Sequence, residues 1–298
     1  MTSAVYDFEP HHVEIAGHRM HYLDEGHGDP VVFLHGCPSW TYGWRNVVPL
    51  VSPGARVIAP DMMGMGRSDK PDLPYDYFLH LGYLERFLDS LGLDRYVLAA
   101  HDWGSALGMS IALRRPEQVR AMVLMETFTV TGSIPQEWQG PPVPWSEPLM
   151  PILMQFLDPV QGPRAVLEQD RFNDTVQIMT KRTLSDEEMS GYRSAYPTQR
   201  SRLAQLRWPF QVLAPHDHLV GNHVEFERHV RLITTSTFPK LLLHCSEGMI
   251  TDENVGWFRD NVPNLEIVRL GEGYHYIQED QPEALGHAIA NWLPALPA

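Results

Sequence analysis

Ala100-His101-Asp102-Trp103-Gly104 follows the strand-like run Tyr96-Val97-Leu98-Ala99 and opens a helix-like run from Ser105 to Arg115. A small residue, any residue, a nucleophile, any residue and a small residue on a sharp strand-to-helix turn make a nucleophile elbow. The nucleophile there is usually serine, and here it is Asp102. A serine that displaces a group from an sp3 carbon becomes an ether, which water does not readily cleave. An aspartate becomes an ester, which water can cleave at the carboxyl carbon. Asp102 therefore points to substitution at alkyl carbon rather than ordinary acyl transfer. By itself it also fits the commonest fate of an aspartate before a helix, an N-cap.

Two other segments carry residues of the right type at the right kind of place. Ligands of open parallel sheets bind beyond the C-terminal ends of the strands. His35-Gly36-Cys37-Pro38 follows one strand-like run, and Gly271-Glu272-Gly273-Tyr274-His275-Tyr276 follows the last one. His275 is the candidate general base, with a packed histidine as the bland alternative. An acid is needed to orient it. Glu126 directly follows the run ending at Met125, where the backbone aims a side chain well, and is preferred to Glu247, Asp252 and Glu253 after a later strand.

The elements that must position these residues alternate along the chain. Val13–Ile15 and Arg19–Tyr22 alternate like hairpin arms around Ala16-Gly17-His18. Pro30–Leu34, Arg56–Pro60, Tyr96–Ala100, Val119–Met125, Lys240–His244 and Leu265–Arg269 are short apolar runs, as expected of strands covered on both faces. Helical stretches are predicted over Phe78–Leu91 and Pro282–Trp292. The pattern specifies an α/β fold with a mostly parallel sheet and helices on both faces. After Phe128 the prolines at 135, 141, 142, 144, 148 and 151 disfavour strands. Helices are predicted instead over Trp145–Leu157, Pro163–Gln177 and Ser185–Tyr196, the last opened by a Ser185/Glu188 capping box. Residues 1–132 and 218–298 thus form a core, with a helical cap inserted over 133–217. Within the cap, Met150, Met154, Phe156 and Met179 are expected in its own apolar core rather than lining a pocket.

Composition narrows the function. A net charge of -14 repels nucleic acid and anionic membrane surfaces. The first ten residues carry neither the basic nor the apolar part of a secretory signal, and no apolar run is long enough to span a bilayer. Cys37 and Cys245 are expected as free thiols, and the compartment as cytoplasmic. No metal or other cofactor is expected. His216-Asp217-His218 could bind a metal but is read as a polar loop.

The nucleophile, acid and histidine occur in the chain order of the α/β-hydrolases. Four runs resemble haloalkane dehalogenases of that superfamily: His35 to Asn46, Asp61 to Pro71, His101 to Gly108 and Gly273 to Asp280. The resemblance spans nearly the whole core and weakens in the cap. It implies an α/β-hydrolase fold and cleavage of a carbon–halogen bond in a small apolar substrate by water, giving alcohol and halide. It also implies that the backbone N–H groups of Cys37 and Trp103 form the oxyanion hole, and that the Trp103 indole N–H binds halide. Glu126 resembles the acid of one subfamily; others carry an aspartate where this chain has Gly248. That subfamily usually has asparagine at the position of Cys37 as a second halide donor, and a thiol donates far more weakly. Other subfamilies use a cap tryptophan, but Trp138 and Trp145 do not match its position and Phe172 comes nearer. Epoxide hydrolysis by the same Asp/His pair is the rival reading, with Tyr192 and Tyr196 as the acids it would need. An oxygenase similar to coelenterazine luciferases, or a non-catalytic receptor on the same scaffold, is a more distant alternative.

Overall fold

The computed structural model describes residues 2–131, 144, 146–211 and 220–297. Eight strands form one sheet: β1 (His11–Ile15), β2 (His18–Glu25), β3 (Pro30–Leu34), β4 (Arg56–Pro60), β5 (Tyr96–His101), β6 (Val119–Met125), β7 (Lys240–Cys245) and β8 (Leu265–Gly271). Their order is β1-β2-β4-β3-β5-β6-β7-β8. β1 and β2 are antiparallel to their neighbours, and β4 to β8 with β3 run parallel. The predicted hairpin is tighter than expected. Ile15 pairs with His18 across a two-residue turn, Ala16-Gly17, in which both residues have positive φ, as a type I′ turn requires.

The apolar runs are continuous because each strand feeds two cores. Val32, Leu34, Leu98, Ala100, Met122 and Leu124 join one buried cluster. Val31, Phe33, Val97, Ala99, Ala121 and Val123 join the other, on the opposite face. Side chains alternate across a strand, so burial of both faces demands apolar residues at every position. Strand order reverses between β3 and β5: β4 lies on the far side of β3, whereas β6 to β8 extend beyond β5. The loops after β3 and β5 therefore flank the switch point where such sheets bind ligands.

The helix Tyr77–Ser90 is capped by the Asp76 carboxylate, which accepts from Leu79 N–H at 2.8 Å. The helix Pro282–Trp292 closes the opposite face, burying Leu285 and Ile289. Between residues 146 and 211 the chain is helical, and the Ser185/Glu188 capping box is present in both directions. Two expectations change there. Pro163–Gln177 is not one helix but a series of short turns ending in the helix Asp174–Ile178. Asp170 adopts a left-handed conformation (φ 56°) that ends regular α-helical geometry. Met150 and Met154 are exposed, and only Phe156 and Met179 are buried. The helices Val220–Thr235 and Val255–Asn261 were not anticipated. Cys37 and Cys245 are both free and buried. No helix among the described residues is long and apolar enough to cross a membrane.

The elbow helix Trp103–Arg114 presses on β3 so closely that a Cβ at Gly104 would lie 2.3 Å from the Leu34 carbonyl oxygen. Gly104→Ala ordinarily gains about 0.5–1 kcal/mol of helix propensity. Overpacking against rigid backbone costs about 1–3 kcal/mol or more, so the variant is expected to be net destabilised. Thermal unfolding checks this; unchanged stability would refute the close-approach argument.

Candidate active site

Asp102 sits at the turn from β5 into the elbow helix with φ 54° and ψ -125°. That is a strained conformation for a residue with a Cβ. Its side chain makes no helix-capping hydrogen bond, so the N-cap reading fails. Instead the carboxylate points across the switch point. Its Oδ1 accepts from the backbone N–H of Cys37 at 3.2 Å. A Cβ at Gly36 would fall 2.1 Å from Oδ1, so only glycine lets the β3 loop approach this closely.

His275 follows β8. Its Nδ1–H donates to Glu126 Oε2 at 3.1 Å, and its Nε2 lies 3.5 Å from Asp102 Oδ2. All three groups are buried. Burial works to strip the proton from His275, but hydrogen bonds and charge from Asp102 and Glu126 outweigh it and raise its pKa to about 9. Burial likewise opposes ionisation of Asp102, yet its contacts with His275 and the Trp103 N–H hold its pKa below the ordinary value.

Glu126 ends β6 with φ 52° and is fully buried. Its Oε2 also accepts from Met249 N–H at 2.7 Å. A Cβ at Gly248 would come within 2.4 Å of Glu126 Oε1. The carboxylate thus fills the space that a side chain at Gly248 would need. The alternative acids are engaged elsewhere: Glu247 pairs with Lys181, Asp252 accepts from Arg269 Nε at 2.9 Å, and Glu253 is exposed.

A cavity of about 160 Å³ opens onto Asp102 and His275. The core contributes Cys37, Trp103, Phe128 and Met249 to its wall, and the helical region contributes Leu149, Leu153, Phe172, Thr175, Met179 and Pro209. Met179, expected in the cap core, therefore faces the pocket, and Phe172 is its aromatic wall. Thr175 commits its hydroxyl proton to the Phe172 carbonyl at 2.7 Å. Burial, then the Asp102 charge, push the Cys37 thiol well above its ordinary pKa, so it is a neutral wall rather than a nucleophile. Tyr192 and Tyr196 do not line this cavity. Both are fully buried, with hydroxyls donating to Glu279 Oε1 and, at 3.0 Å, to the Pro38 carbonyl. Trp138, Trp145 and His216-Asp217-His218 lie outside the described residues. Among the described residues no cluster of His, Cys, Asp and Glu is arranged to hold a metal ion.

Several supporting residues escaped sequence reasoning. His101 Nε2–H donates to the His275 carbonyl at 2.8 Å. His35 Nδ1–H donates to the Gly36 carbonyl at 2.7 Å while its Nε2 accepts from Met62 N–H at 3.0 Å, which braces the loop carrying Cys37. Arg45 and Glu279, 234 positions apart, form a buried two-point ion pair at 2.5 and 3.0 Å. Both belong to motif runs quoted above, but nothing local in the sequence indicates that they pair.

A family model described as alpha/beta hydrolase fold matches residues 29–282. With the sheet order and the elbow, this makes the chain an α/β hydrolase. Haloalkane dehalogenases from Mesorhizobium japonicum and Bradyrhizobium diazoefficiens are each 35% identical to it, over 95% and 98% of this chain and 90% and 96% of theirs. The crystal structure of haloalkane dehalogenase DbeA from Bradyrhizobium elkani superposes with a TM-score of 0.87 at 33% identity, covering 97% of this chain and 99% of that one. The chain belongs to the haloalkane dehalogenase family.

The contact between Glu126 and Gly248 makes two acid positions mutually exclusive. Gly248→Asp alone is expected to abolish turnover, because two carboxylates would compete for one space. Glu126→Gly combined with Gly248→Asp is expected to recover part of it. Steady-state halide release from the three proteins checks this; a double variant no better than either single change would refute a shared location.

Proposed function

We propose that this chain hydrolyses haloalkanes with Asp102 as nucleophile, His275 as general base and Glu126 as the acid orienting it. The observation that carries this is the line Asp102–His275–Glu126, with the Cys37 N–H on Asp102 Oδ1, at the floor of an apolar cavity. The core, 1–132 and 218–298, supplies the chemistry, and the cap over 133–217 covers the substrate. The Glu126 acid, with Gly248 leaving it room, supports membership of the glutamate-acid subfamily.

In the first step Asp102 attacks the carbon bearing the halogen. The carbon–halogen bond breaks with its electron pair on the halide, and an alkyl ester forms. That removes the Asp102 charge. His275 then keeps one carboxylate partner of two, and burial favours loss of its proton. Neutral His275 can accept a proton from water, whose oxygen attacks the ester carbonyl carbon. The resulting oxyanion is held by the N–H groups of Cys37 and Trp103. Collapse expels the alkoxide, which is protonated to the alcohol, and Asp102 is regenerated with net release of one proton. Glu126 keeps Nδ1 protonated so that Nε2 is the accepting nitrogen.

The halide leaves into a wall with few donors. The Trp103 indole is the principal one, and Cys37 stands where a side-chain amide would add another. Slow turnover of chloroalkanes follows. The cavity supports a small halogenated organic substrate with water as co-substrate, and the net charge of -14 disfavours a nucleic acid or anionic membrane partner. The buried free thiols agree with a cytoplasmic location. Epoxide opening is disfavoured because the two tyrosine hydroxyls are committed away from the cavity.

Mass spectrometry of His275→Phe incubated with 1-bromohexane is expected to show one alkyl adduct on Asp102, with one bromide released per site. A hydroxyalkyl adduct from an epoxide, with none from the bromide, would overturn the reading. Cys37→Asn should raise kcat/KM for 1-chlorohexane about tenfold, the value of one added hydrogen bond to an anion. An unchanged or lower value would show that Cys37 does not limit halide departure.

A further inference from the structure

The loop carrying His275 is bound to the helical region by an unusual density of polar contacts. Met179 has its carbonyl on the Tyr276 N–H at 3.0 Å. The backbone N–H groups of Lys181 and Arg182 donate to the two oxygens of Asp280 at 3.0 and 2.9 Å. The same Asp280 carboxylate accepts from Tyr274 N–H at 2.8 Å, on the residue before His275. Arg182 Nε donates to the Glu279 carbonyl at 2.7 Å, and its Nη2 to Glu279 Oε2 at 2.5 Å. Arg182 also grips Glu188 on the next helix at 2.6 and 2.9 Å. Arg45 closes the group from the core side, pairing with both Glu188 and Glu279 as Arg182 does.

These contacts converge on both flanks of one catalytic side chain. Asp102 is held differently, by the elbow, the Cys37 N–H and the absence of a side chain at Gly36. None of the contacts of segment 179–182 reaches it. The two half-reactions described above use these two groups separately: Asp102 alone forms the ester, and His275 is needed to hydrolyse it.

We propose that the segment Met179–Arg182 is a strap that positions His275, with Arg182 and Asp280 as positioning residues for ester hydrolysis but not for ester formation. The inference rests on the covalent mechanism proposed above. Met179 also lines the substrate cavity, so the strap joins the wall that meets the substrate to the base that finishes the reaction. A displacement of about 1 Å in a catalytic group can cost up to about a hundredfold in rate, so loosening the strap is sufficient to change the slow step.

The test is rapid-quench halide release from 1-bromohexane by the parent protein and by Arg182→Ala, Arg182→Lys, Asp280→Asn and Arg231→Ala. Arg231→Ala is the control: it removes an exposed cation on the helix Val220–Thr235, outside the strap. Arg182→Ala and Asp280→Asn are expected to keep the burst rate constant within about twofold while kcat falls about tenfold or more. The alkyl adduct on Asp102 should then accumulate in the steady state. Arg182→Lys should recover part of kcat, and Arg231→Ala should match the parent. Equal loss of burst and steady-state rates, or no loss of kcat, would overturn the strap. If Arg182→Ala does not fold, as judged by near-UV circular dichroism, Arg182→Lys and Asp280→Asn decide the matter by the same ratio. Failure of the mechanism itself looks different: neither the parent nor His275→Phe would form an adduct on Asp102.

Discussion

Two buried carboxylates share one imidazole, and the rest of the site follows from that arrangement. Burying an ion costs several kcal/mol after relaxation. Opposite charges about 4 Å apart attract by about 4 kcal/mol at an effective dielectric near 20. One imidazolium between Asp102 and Glu126 therefore offsets much of what an apolar cavity imposes on both. In the proposed mechanism the arrangement holds while Asp102 is charged and loosens once it is esterified. The first step of that mechanism thus prepares the base for the second. It also explains why Glu126 ends a strand: an acid that must bind one nitrogen and avoid the other has little positional freedom.

The same pocket sets a second constraint. A wall of Phe128, Phe172, Leu149 and Met179 excludes water from the ester and suits an alkyl chain. It offers almost nothing to a departing anion. Neutral donors on soft, apolar groups suit a weakly hydrated halide better than they suit a carboxylate or phosphate leaving group. Cys37 deepens this bias, because its thiol is kept protonated by burial and can give only a weak hydrogen bond. On the proposed reading the covalent machinery is kept while the leaving group meets a poorer exit.

Much of this was legible in the sequence because the decisive features are local. Five consecutive residues define the elbow, and Glu126 stands directly after its strand. Both cores could be read from the uninterrupted apolar runs. What escaped was long-range. Arg45 and Glu279 show their pairing only when the chain is folded, and the contact of Gly248 with Glu126 spans two strands. Asp170 carries no obvious breaker signal, yet its left-handed backbone ends a run that periodicity alone extends to Gln177. A methionine in a helical region usually packs inward, which by sequence alone places Met179 in the cap core. In the structure it is buried and also lines the cavity. Periodicity reports which residues are apolar, not which of two apolar spaces they fill.

In the proposed mechanism the Cys37 backbone donor serves two states of the same group. In the resting protein the Cys37 N–H engages one Asp102 oxygen, and the other lies 3.5 Å from His275 Nε2. In the proposed hydrolysis that N–H, with the Trp103 N–H, meets the oxyanion that forms on the same carboxyl carbon. A serine nucleophile has no such double use, because its oxyanion develops on the substrate's carbonyl instead. Replacing serine by aspartate moves the electrophilic carbon of the second step from substrate to protein, where its position is set by folding rather than by binding. The scaffold must therefore hold the carboxyl group itself rigidly, which accounts for glycine at positions 36 and 104 where any side chain would collide with Asp102 or with β3.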